Sequence, residues 1–367
     1  MKKETAIFFF IGTEAELIKV FPVMRELKKM HVPFFVIASG QNDVGKSRIF
    51  QLADCGRIDL CLNEAPERKD AFGLFCWWLR TFSGAVGKIR KVFADIDFRH
   101  SKLVIHGDTV STLMGAEIGY HLGMRIYHIE AGLRSHRLWE PFPEEIDRLL
   151  ASRRARVHFA PGKAAAENLK RAKGKVFNTR YNTLSDSLGF SENIPAGEGV
   201  SELIRGDYFV FVMHRQENLV NKSFVSAVMR EVKRLAETKR CIFIRHELTG
   251  EALKKFGLLE ALERDQNITM VPRLDYFDFM KVLAHSAYVI TDGGSNQEEL
   301  YYMGKPCLIL RRRSERTEGI GENAVLFRGN VKEIREFAAH LPEGKSRLIA
   351  RKSPSEFIAR VISANHR

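Results

Sequence analysis

Residues 125–161 read RIYHIEAGLRSHRLWEPFPEEIDRLLASRRARVHFAP. Two apolar runs with little polar alternation, RIYHIEA and RVHFAP, flank a helical stretch, PEEIDRLLASRRA. Strand, helix and strand in that order make a parallel crossover unit, because parallel neighbours need a long connection. Between the first strand and the helix, residues 129–148 hold five carboxylates, three arginines and a histidine in twenty positions. Charge of that density at a strand end, with two prolines around an aromatic, is either a decorated turn or a set of acids and bases aimed at one substrate.

The same alternation extends in both directions. Upstream, TAIFFFIG precedes the helical EAELIKVFPVMRELKKM and the strand PFFVIAS, and SKLVIHGD precedes a helix ending near Gly123. Downstream, residues 181–207 are rich in Ser, Asn, Gly and Pro and read as a linker. The pattern then restarts with YFVFVMH, CIFIRHE, ITMVP, YVITDGG and PCLIL, separated by helices. Apolar runs without alternation belong to parallel strands covered on both faces. The fold class is therefore α/β, with two doubly wound domains and a cleft between them. The boundaries expected are 1–181 and 182–350, with 351–367 as a closing helix.

Bulk properties narrow the class. A chain of 367 residues, 45% hydrophobic and 28% charged, is a globular protein larger than one core usually serves. Met-Lys-Lys-Glu-Thr leads into only a short apolar run, which predicts no signal peptide and a cytoplasmic protein. Its five cysteines are scattered and lack metal-ligand spacing, so they read as reduced thiols and imply no metal. A net charge of +13 spread along the chain, without a nucleic-acid motif, favours a phosphate-bearing ligand over nucleic acid. A membrane surface is the second choice. AFGLFCWWLRTFSGAVGKIRKVF reads as a helix buried at a domain or subunit interface, with an interfacial membrane patch as its alternative.

Four polar clusters fall at strand ends, where open α/β sheets bind ligands. GTEAELIK brings Gly12, Thr13 and Lys19 to a strand–turn–helix whose amino terminus can face an anion, although a lysine in that place is by itself more often a solvated helix residue. HGDT brings Asp108, which alternatively caps the following helix. The opening stretch brings Glu130, and then Glu144 and Arg148 four apart on one helix face, where a helical salt bridge is the plainer reading. TDGGSNQEEL brings Gly293, Gly294 and Ser295 to a turn that suits a pyrophosphate, with Glu299 placed for ribose hydroxyls. VMHRQEN adds His214 and Arg215. Each cluster has a bland explanation; their joint placement at strand ends in both halves does not.

Taken together, VIHGDT, HIEAGLRS, PFPEEIDR, HFAP, HRQEN, TDGGSNQEE, GKPCLIL and SERTEG resemble the UDP-N-acetylglucosamine 2-epimerase family, in family order from about residue 5 to residue 340. The resemblance implies a GT-B fold of two Rossmann-like domains, with SPSEFIARVISANHR as the helix crossing back to the first. It implies elimination of UDP to a 2-acetamidoglucal and re-addition with inverted configuration at carbon 2, serving bacterial surface polysaccharide precursors, without a cofactor. By motif it places Asp108, Glu130 and Glu144 as the catalytic carboxylates. Lys19, Arg148 and His214 are placed on the leaving diphosphate. The nucleotide contacts are Gly12, Thr13, Arg215, Gly293, Gly294, Ser295 and Glu299, with Phe279 against the uracil. A UDP-sugar substrate and a homodimer follow by analogy.

There are departures. Glu14 and Ala15 stand where the family has Arg and Pro, and SGQNDVGK lacks the Gln-His-Arg-Glu-Met pattern that binds a second, activating UDP-sugar in bacterial non-hydrolysing members. DGGS alters the usual glycine–serine order, and Thr317 replaces a proline. The alternatives are a hydrolysing 2-epimerase releasing N-acetylmannosamine and UDP, and a membrane-associated GT-B glycosyltransferase with a UDP-sugar donor.

Overall fold

A computed structural model describes residues 4–64, 71–134, 144–312, 316–348 and 352–364, with the side chains of Ala71, Phe72 and Glu144 outside that description. The chain divides into two compact units, Met1–Ser187 with Lys352–Arg367, and Leu188–Arg351.

Unit 1 is built on seven strands: β1 (Ile7–Ile11), β2 (Phe35–Ala38), β3 (Leu60–Cys61), β4 (Lys102–His106), β5 (Arg125–Ile129), β6 (Val157–Ala160) and β7 (Lys175–Asn178). Their order is β3-β2-β1-β4-β5-β6-β7, parallel throughout. Unit 2 has β8 (Tyr208–Val212), β9 (Arg240–Arg245), β10 (Ile268–Pro272), β11 (Val289–Thr291), β12 (Cys307–Ile309) and β13 (Ala324–Leu326). It runs β10-β9-β8-β11-β12-β13, again parallel. The central strands IFFFI and YFVFV are buried at every position, as a sheet covered on both faces demands. Both units are doubly wound, with the order reversing between β1 and β4 and between β8 and β11. The short strands β3, β7 and β13 carry too few apolar residues to be read from sequence.

The supposed linker is largely ordered helix. Leu184–Ser191 and Glu198–Leu203 are helical, and Asn182, Thr183, Leu184, Ser185 and Ser187 are buried. Asn182, Ser185, Ser187 and Ser191 are there because they bond backbone, not because they face water. Pro22 shows why. It sits inside the helix Glu14–Lys29, where it offers no N–H to the carbonyl of Ile18 four residues back. The Ser187 hydroxyl fills the gap, donating to Ile18 O at 2.5 Å.

The helix Pro354–Ser363 packs on Glu14–Lys29 through Pro354, Ile358, Ala359 and Ile362. It is held at both ends. Asp186 accepts from Ser353 Oγ and Ser355 N, each at 2.8 Å, and Lys102 Nζ donates to the Ile362 carbonyl. Burial pulls Lys102 down to about 8 and pushes Asp186 up.

The helix Ala71–Val92 buries Trp77, Ala85 and Ile89 against unit 1, while Phe75 and Leu79 are exposed. Among the described residues no helix is long and apolar enough to cross a membrane.

The proline–serine pairing yields a double-mutant cycle. Ser187→Ala orphans the Ile18 carbonyl and costs about 1–3 kcal/mol in urea unfolding. In a Pro22→Ala background, where the helix supplies its own N–H, the same change costs less by about 1 kcal/mol. Equal losses in both backgrounds would show that the carbonyl does not depend on Ser187.

Candidate functional site

At the crossing point of unit 1, between β1 and β4, the organising group is a buried carboxylate. Glu16 is 2% exposed. It accepts from Gly12 N at 2.6 Å and Thr13 N at 2.7 Å in the loop after β1, and from Thr109 Oγ1 at 2.7 Å and Thr112 Oγ1 at 3.0 Å beyond β4. Burial pushes its pKa up, and these hydrogen bonds pull it back. Gly12 admits no side chain: a Cβ there would come within 1.9 Å of Ser111 Oγ.

Beside this brace stands Glu130, one residue past β5. Its φ of +61° lies in the left-handed region that few residues other than glycine adopt. Its Oε2 accepts from Lys19 Nζ at 2.5 Å and from Asn182 Nδ2, and His106 Nε2 lies 3.8 Å away. All four side chains are buried. Below them His128 donates from Nε2 to the Gly107 carbonyl at 2.7 Å, and burial holds its pKa down to about 4.

Asp108 pairs with Arg148, whose Nη1 also reaches Glu145 Oε2 at 3.1 Å; Arg134 meets the other Glu145 oxygen at 3.4 Å. So Asp108 and Glu130 stand just past the adjacent strands β4 and β5, and each is paired with a cation carried on a helix, Arg148 and Lys19. Glu144 opens the helix Glu144–Arg154, and its side chain, like residues 135–143 of the quoted stretch, lies outside the described residues.

Unit 2 repeats the device with Asp292. Fully buried just past β11, it accepts from His214 N and Arg215 N, both at 3.0 Å, and from Asn218 Nδ2 at 3.0 Å, which ties the loop after β8 to that after β11. Arg215 Nε returns to the Asp292 carbonyl at 3.0 Å. His214 stacks on His246 with ring centres 4.7 Å apart. Burial lowers the pKa of both, with His246 at about 4; Asp292 opposes the shift at His214. The rings are thus neutral near pH 7.

Gly293 closes the turn, where a Cβ would lie 2.5 Å from Asn296 Oδ1 and 3.1 Å from His214. The helix Gly294–Met303 starts there with Ser295 exposed, and Glu299, 5% exposed, accepts from Asn296 Nδ2 at 2.9 Å. Next to Glu299 is Tyr276, whose buried hydroxyl has no hydrogen-bond partner among the described residues. Phe279 is half-buried in the helix Tyr276–His285. Among the described residues no three His, Cys, Asp or Glu side chains group as metal ligands.

Comparison with known proteins matches this arrangement to one family. Residues 19–354 fit the family model described as UDP-N-acetylglucosamine 2-epimerase. The chain belongs to the UDP-N-acetylglucosamine 2-epimerase family. It is 30% identical to the UDP-N-acetylglucosamine 2-epimerase of Campylobacter jejuni over 92% of this chain and 89% of the relative. It is 29% identical to that of Methanocaldococcus jannaschii over 88% of each. The crystal structure of the latter organism's UDP-GlcNAc 2-epimerase in complex with UDP-GlcNAc and UDP superposes with a TM-score of 0.78 at 26% identity, covering 98% of this chain and all of that one. Two Rossmann-like units in this order are the domains of a GT-B fold.

In this epimerase-family chain, reasoning from sequence missed Glu16, Asp292 and Asn182. Glu16 carried a signal, because Thr13 and Glu16 have capping-box spacing and form that box. Asp292 lay inside a motif read for its glycines.

Two outcomes follow. Asp292→Asn turns one acceptor oxygen into a donor facing N–H groups, and should cost about 2–4 kcal/mol of stability with weaker UDP binding, read by urea unfolding and calorimetry. For His128, the folded state stays neutral to about pH 4 while the unfolded chain takes up a proton below about 6.5. The unfolded state then binds more protons, so stability falls as pH drops from 6.5 to 4, by up to about 3 kcal/mol. His128→Gln should flatten that slope in thermal melts; an unchanged slope assigns it to other groups.

Proposed function

We propose that this chain interconverts UDP-N-acetylglucosamine and UDP-N-acetylmannosamine by eliminating and re-adding UDP. The observation that carries the reading is Glu130, held in a strained backbone conformation against Lys19 at a strand end beside Asp108 and Arg148. A structural salt bridge needs no such strain, and buried residues held in such conformations cluster at active sites.

The proton on carbon 2 has no adjacent carbonyl to acidify it. Expelling UDP first develops charge on the diphosphate, and cations stabilise that departure. In this reading Asp108, Glu130 and Glu144 share proton transfer at carbon 2 and polarisation of a sugar hydroxyl. Lys19 and Arg148 turn from their carboxylates to the leaving diphosphate, and His214, neutral and held by Asp292 through its backbone N–H, donates a hydrogen bond to it. Gly12 and Thr13 border the sugar diphosphate. Arg215, Gly293, Gly294, Ser295 and Glu299 hold the nucleotide from unit 2, where amides at a helix start suit a pyrophosphate and Glu299 suits ribose hydroxyls, with Phe279 against the uracil. A homodimer belongs to this reading, with exposed Phe75 and Leu79 as the apolar face to be covered; peripheral membrane attachment would use the same face.

Proton NMR with UDP-N-acetylglucosamine in heavy water tests it. Deuterium at carbon 2 with a growing UDP-N-acetylmannosamine signal supports the proposal. Free N-acetylmannosamine plus UDP would make the enzyme a hydrolysing epimerase, and an unchanged spectrum would turn attention to a glycosyltransferase. Asp108→Asn and Glu130→Gln should each lower turnover by about 100-fold or more while UDP affinity changes little.

A further inference from the structure

Asn182 lies in the segment whose composition reads as a linker, yet it is 4% exposed and does two things at once. Its Oδ1 accepts from Leu184 N at 3.1 Å, and its carbonyl accepts from Ser185 N at 3.1 Å and Ser185 Oγ at 2.8 Å. Those bonds start the helix Leu184–Ser191, along which unit 1 ends at Ser187 and unit 2 begins at Leu188. Its Nδ2 donates to Glu130 Oε2, the oxygen that also takes Lys19 Nζ.

Holding Glu130 requires such help. Its backbone φ of +61° is unfavourable for a residue with a Cβ, and a carboxylate on one flexible side chain keeps no direction by itself. Lys19 contributes charge from the helix Glu14–Lys29, but an ammonium is a point charge that tolerates many carboxylate orientations. The planar amide of Asn182 is directional. It is also fixed from behind, because its oxygen is engaged by the helix start.

We propose that Asn182 is a positioning residue that orients the Glu130 carboxylate for proton transfer and couples that orientation to the first turn of the helix joining the two units. This rests on the epimerase reading. The charged and titratable groups facing Glu130 among the described residues are Lys19 from the helix Glu14–Lys29, His106 from β4 and His128 from β5.

The test separates the two jobs of the side chain. Asn182→Ser keeps a side-chain oxygen able to start a helix, while its hydroxyl is too short to reach Glu130. Asn182→Asp keeps both size and capping oxygen but sets a carboxylate against a carboxylate. The full-length variants are compared with wild type by thermal melting, UDP titration and the pH dependence of kcat and KM for UDP-N-acetylglucosamine. With Asn182→Ser, kcat should fall about 10- to 100-fold, as for other residues that orient a reacting group. KM and UDP affinity should stay within about 3-fold, because a positioning role acts on the chemical step. With Asn182→Asp, the acidic limb of the kcat profile should move to higher pH, since adjacent carboxylates disfavour the second charge. A folded Asn182→Ser with wild-type kcat, or a loss confined to KM, overturns the proposal. If the serine variant does not fold, the aspartate variant decides, and an unshifted acidic limb overturns it. Absence of carbon-2 exchange in the wild type would instead remove the epimerase reading, and this proposal with it.

Discussion

A parallel sheet that reverses its strand order leaves two loops diverging at the crossing point, and whatever binds there needs those loops held apart by a fixed distance. In both units a single buried carboxylate sets that distance. Glu16 joins the loops after β1 and β4, and Asp292 joins those after β8 and β11. Each satisfies backbone or hydroxyl donors that would otherwise point at one another, and a charge-assisted bond to a fixed carboxylate is about twice as strong as a neutral one. Lys19 sits one turn from Glu16, and His214 hangs directly from Asp292. Lys19 and His214 are thus branches of these two braces.

The braces also explain where strain is tolerated. Glu130 keeps a left-handed backbone because Lys19 and Asn182 hold its side chain from one end and the β5 ladder holds its main chain from the other. His128 in unit 1 and His246 in unit 2 are each kept neutral by burial. In unit 1 the cations beside Glu130 and Asp108 are Lys19 and Arg148.

Much of this was legible in the sequence. Uninterrupted apolar runs such as IFFFI and YFVFV have one stable environment, so two doubly wound units followed from spacing alone. The strand-end positions of Asp108, Glu130 and His214 followed too, because strand ends are where polar residues interrupt those runs, and Lys19, Arg148 and Glu299 were placed on the helices that come next. What stayed hidden depends on pairing across distance. The bond between Asn182 and Glu130 spans 52 residues, and Ser187 matters only because Pro22 lacks an N–H. Composition made residues 181–207 look like a solvated connection, since a serine satisfying a carbonyl and a serine facing water are the same letter. The short strands at the sheet edges were lost for a simpler reason: two to four residues carry no clear period.

The closing helix has a consequence for how the protein is made. Unit 1 is completed by residues that follow all of unit 2 in the chain, and Lys102 and Asp186 wait for them at the two ends of the seat. During synthesis the apolar face of Glu14–Lys29 stays uncovered, and Lys102 and Asp186 lack their partners on the closing helix, until the chain has grown past Ile362. The first sheet is translated before the second, but the helix that closes unit 1 is translated after all of unit 2, so unit 1 is sealed only once the whole chain has been made.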